Sequence, residues 1–196
     1  MALSLWGSVG ESRRREARAR LYVEHLMADP PGDIVLRLAA AGDADDDHAR
    51  WELRYALRAI GYLVSERDAL DDRTSAEVAR AISDAQEADP NVAHDRRTVA
   101  QRQFNERLRD YRAALADRTA TAAPAERIGR VLLSYARSGS PSNADARFAA
   151  EVVAELIAQC NAALREAYGE ASLPVDTAPS ELVRGRGDET TGRRGG

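Results

Sequence analysis

The chain has 196 residues and a formal net charge of −4, with 44% apolar, 31% charged and only 5% aromatic side chains. This composition suits one compact domain and gives no overall positive field for gathering polyanions, so nucleic acid is not an expected partner. All 28 basic residues are arginine, which excludes Schiff-base nucleophiles and lysine phosphate clamps; the missing lysine itself is read as codon bias.

Alanine and arginine favour helices and strand-favouring aromatics are scarce, so the expected fold is all-α, a bundle of six or seven helices. In chain order, residues 1–10 read as an apolar N-terminal arm carrying Leu3, Leu5, Trp6 and Val9, with Arg13, Arg14, Arg15, Arg18 and Arg20 behind it. A solvated end should not concentrate apolar residues, so these four are the candidate partner-binding residues; contact with a membrane interface is a lesser option, and burial in the arm's own bundle the competing one. A helix over residues 11–28, with Leu21, Tyr22, His25 and Leu26 at helical spacing, is stopped by the Asp-Pro-Pro-Gly-Asp run at 29–33. A short helix over 34–41 ends at Gly42, a residue type suited to a left-handed C-terminal position.

Asp43, Asp45, Asp46 and Asp47 precede the best amphipathic segment, with Leu53, Ala56, Leu57, Ile60, Leu63 and Val64 on one stripe. Carboxylates there suit the positive end of a helix dipole. Thr74 and Glu77 read as a capping box opening the next helix, which the Asp-Pro-Asn run at 89–91 ends. A long helix over 95–117 carries Val99, Ala100, Phe104, Leu108, Tyr111 and Leu115; a shorter one opens at Pro124. The last, over 144–168, has so wide an apolar face that it is expected to be the most central. The helical domain is thus residues 11–168, and residues 169–196, rich in Gly, Pro and Arg, read as a disordered tail.

Arg67 to Thr74 and Arg112 to Thr119 agree at six of eight positions with a 45-residue period, each closing a long helix ahead of a shorter one. A duplicated helical hairpin is one explanation and similar caps in an ordinary bundle the other.

Chemistry-bearing constellations are few. His48 and Glu52 stand four apart, the spacing of two ligands on one metal ion, but also of a plain surface pair. The acidic groups near Asp45 and Asp72 sit at opposite ends of one long helix, too far apart to share a cation. Residues 74–83 and 96–103 have the look of a helix-turn-helix pair, but the connection is too long for that motif. Cys160, the single cysteine, falls on an apolar face and reads as inert packing. With no charged leader ahead of an apolar run and no run of 18 apolar residues, the expected compartment is the cytoplasm.

The sequence therefore points to a non-catalytic helical interaction or assembly protein, without cofactor, whose partner is another protein or a second copy. The alternative is a metal-dependent hydrolase or transferase working on phosphate-containing substrates through an acidic cluster.

Overall fold

A computed structural model of the chain describes residues 3–68, 72–117, 119–136 and 141–169, with side chains from residue 10 onward. The tail expected at 169–196 lies outside these residues apart from Gly169. Among the described residues there is no strand, and seven α-helices are present: α1 (Leu3–Leu26), α2 (Gly32–Gly42), α3 (Asp46–Asp68), α4 (Asp72–Glu87), α5 (Arg97–Ala116), α6 (Pro124–Ala136) and α7 (Asn143–Tyr168), with a short 3₁₀ turn, His94–Arg96, ahead of α5. The all-α bundle is as expected, and no described helix is long and apolar enough to cross a membrane.

The centre is α3, not α7. It packs against α1, α2, α4, α5, α6 and α7, whereas α7 touches α1, α2, α3 and α6. No residue from Trp51 to Ser65 is exposed. A helix covered on all sides must neutralise whatever polar groups it carries, and α3 does so by pairing Glu52, Arg54 and Arg58 with distant partners. The apolar face of α7 is wide, but Glu151, Ala154, Glu155, Ala158 and Gln159 leave one side in solvent.

Close backbone approaches lock the layers. The Tyr22 hydroxyl of α1 donates to the Gly61 carbonyl of α3 at 2.8 Å, and a side chain at Gly61 would collide with Leu26. At Gly129 of α6, an added Cβ would lie 2.8 Å from backbone atoms of Ala149 and Ala150 in α7. At Gly42 it would lie 2.2 Å from the Ala136 carbonyl oxygen. Gly42 is therefore not the left-handed C-terminal residue; Asp43 takes that position, with φ 51° and ψ 42°, because aspartate tolerates it and the tight α2–α6 contact needs the glycine one residue earlier.

Caps follow the same local logic. Asp45 precedes α3 and accepts from the His48 amide at 2.7 Å, which gives the acidic run the capping role expected of it. Thr74 does not cap α4, which starts two residues earlier at Asp72. Ser142 and Asp145 form a reciprocal capping box on α7, with bonds of 3.2 and 2.9 Å. Arg127 of α6 spreads its guanidinium over the carbonyls of Ala114, Leu115 and Ala122 and so closes the C-terminal end of α5.

The stack that a duplicated hairpin array requires is not formed among the described residues. α3 and α5 are in contact, but α4 packs on α1 and α6 on α7, and α4 and α6 do not touch. The helices end at different positions of the two octapeptides, α3 at Asp68 and α5 at Ala116.

Candidate functional site

The expected arm is continuous with α1, which is helical from Leu3; the side chains of Leu3, Leu5, Trp6 and Val9 lie outside the described residues. Gly10, Glu11, Ser12, Arg13 and Arg14 are all exposed. Five consecutive residues cover more than one turn of helix, so no face of α1 is covered at that level, and among the described side chains of α1 the first to be fully buried is Ala19. From there Ala19, Tyr22, Val23 and Leu26 join the core.

His48 and Glu52 are not brought together. The exposed His48 donates through Nε2 to the Tyr135 carbonyl at 2.9 Å, which fastens α3 to α6. Glu52 is 2% exposed, so the surface pair anticipated from the spacing does not exist. Its carboxylate instead accepts two bonds from Arg107 of α5, Nη2 to Oε1 at 2.6 Å and Nε to Oε2 at 3.1 Å. Among the described residues, no three His, Cys, Asp or Glu side chains converge in a way that could hold a metal ion.

Around this buried pair is a partly buried polar network that the sequence did not disclose. Arg107 lies 4.0 Å from the ring centroid of Tyr135 and 5.4 Å from that of Tyr55. Tyr135 donates to Asp110, and Tyr55 to Gln103 at 3.0 Å. Burial pulls the Arg107 pKa down, but its bonds to Glu52 and the carboxylate charge outweigh that and the net displacement is upward, so it stays charged. Burial, and then the Asp110 hydrogen bond, push Tyr135 up to about 12.

A second pair, Arg58 and Asp89, is 3% and 1% exposed at 2.8 Å. Asp89 also accepts from the Asn91 backbone and side-chain nitrogens, both at 3.0 Å, which ties down the turn between α4 and α5. Burial alone would raise the Asp89 pKa, but these donors and Arg58 hold it below the usual carboxylate range.

No family model, curated protein or solved structure matches this chain.

Other reactive side chains have structural occupations. Cys160 is 1% exposed, its Sγ faces the Leu57 carbonyl at 3.9 Å, and burial pushes the thiol up to about 12. His25 lies 3.5 Å from Glu166 at the surface and links α1 to α7. One signal could have revealed the network: Arg107 falls on the same helical stripe as Phe104 and Tyr111, while Val99, assigned to that stripe, is exposed.

Proposed function

We propose that this chain is a non-catalytic helical interaction module that docks on a protein partner, or on a second copy of itself, through the first turns of α1. The observation that carries the reading is the exposure of Gly10 to Arg14 on every side of the helix. The segment holding Leu3, Leu5, Trp6 and Val9 is joined to the bundle through a turn the bundle does not cover. An apolar stretch so placed gains most by covering itself with another molecule. A structural use for Glu52, His48, Asp45 and Cys160 adds support, since the first two and Cys160 make contacts between helices and Asp45 caps α3.

The test changes Leu3 and Trp6 together to alanine. Docking predicts that self-association, followed by sedimentation, or capture of a partner is lost while the helical signal and unfolding midpoint stay put. Were the residues part of the core, the same change would cost roughly 3 kcal/mol or more of stability, and that result with association intact would overturn the reading.

A further inference from the structure

α4 and α5 both lean on α3 but scarcely touch each other, and the gap between them is a groove of about 910 Å³. Its walls are the C-terminal half of α4, the 3₁₀ turn and the N-terminal half of α5, with Tyr55 and Arg58 of α3 also lining it. That volume lies within the range of small-molecule sites. Four arginines line it, of which Arg58 and Arg109 are paired with Asp89 and Asp110; Glu106 lies beside Arg107, which leaves Arg97 and Arg102 against the carboxylate of Glu87 among the described residues.

Its walls also contain polar atoms that have no hydrogen-bond partner among the described residues. Arg58 is 97% buried by area, with 3% exposed, and gives Nη2 to Asp89 while its Nε has no partner. The Nε of Arg97 and both amide atoms of Gln86 are likewise buried and unpaired. Buried polar groups are nearly always satisfied, so three such residues around one concavity mark a place built for something polar. Arg97 is steered by His94, whose Nδ1 accepts from its Nη1 at 3.2 Å, and Arg102 makes no ion pair among the described residues. Arginine forks presented this way fit the oxygens of a phosphoryl group, which takes several charge-assisted bonds at once.

We propose that the α4–α5 groove binds a small organic phosphate, its phosphoryl oxygens on Arg97 and Arg102 and its body along Tyr55, Gln101 and Asn105.

Isothermal titration of the full chain with ADP and with pyrophosphate tests this. Wild type is expected to bind both, with affinity falling as salt is raised. R97Q/R102Q should weaken both by about ten-fold or more, while Arg80→Gln, on the far side of α4 beside Glu16, should change them less than about two-fold. Circular dichroism checks that the double variant is folded; should it not be, Arg102→Gln alone, at an exposed position, carries the comparison. No heat with wild type at millimolar ligand, equal binding by the groove variant, or equal loss in R80Q would each overturn the assignment.

Discussion

Arg107 and Glu52, fifty-five residues apart in sequence, face each other as a two-pronged ion pair at the junction of α5 and α3, with both side chains less than a tenth exposed. Their stability contribution depends on both being present. Removing one leaves a charge in a medium that cannot solvate it, whereas replacing both with apolar groups of similar size removes the problem along with the pair.

Glu52→Ala is therefore expected to destabilise the fold by about 3–5 kcal/mol, and the double change Glu52→Leu with Arg107→Met to cost far less than either single change. Urea unfolding of Glu52→Ala, of Glu52→Leu and Arg107→Met singly, and of the double variant checks this. Additive losses would show that the two residues act independently.

Acidification should act through Asp89. Its folded-state pKa is depressed, so the stability it supplies is fully present above the unfolded value of about 3.9 and is lost as pH falls through the lower folded value. Unfolding midpoints followed from pH 6 to pH 2 should decline, and Asp89→Asn should be weaker at neutral pH but decline less steeply across that window. Parallel curves for the two proteins would remove Asp89 from the account.

Gly129→Ala reverses a familiar rule. Alanine in a helix interior usually gains about 0.5–1 kcal/mol over glycine, but here the new methyl would meet the α7 backbone at 2.8 Å, which cannot move aside as a side-chain tip can. A loss of roughly 1–3 kcal/mol, a fall of several degrees in the thermal midpoint, is expected. Alanine at Gly10, which has open space around it, is the control and should be neutral or stabilising.

Cys160 should be silent toward a disulfide reagent at pH 8 in the folded protein, because burial holds its pKa near 12 and the thiolate is the reactive form. It should react at once in denaturant. Fast labelling under native conditions would place the thiol at the surface.

Much of the fold was legible because it rests on local rules. Apolar spacing of 3.6 located the helices, proline and glycine their ends, and Asp45 its cap. Position within the bundle was not legible, since it depends on what lies on the other face of each helix. The second face of α3 carries Glu52, Arg54 and Arg58, and a pattern reading sends such residues to solvent. Only their partners Arg107, Asp29 and Asp89, 25 to 55 residues away, make burial affordable. The arginine usage takes on a different meaning for the same reason. Composition suggested codon bias, yet Arg107, Arg54 and Arg127 each engage two or more nitrogens at once, a geometry lysine cannot reproduce.

The near-contact of α6 and α7 at Gly129 bears on how the chain assembles in time. Only residues 137–142 separate the two helices, so closing this hairpin costs little chain entropy and needs no other part of the protein. By contrast, α1 meets α7 across roughly 140 residues, from His25 to Glu166, and gains its place only when α3 and α4 are already there to receive it. Pulse-labelled hydrogen exchange should accordingly find α6 and α7 protected early and α1 late. The helix that carries the proposed docking segment would then be the last to arrive and, under strain, the first to leave.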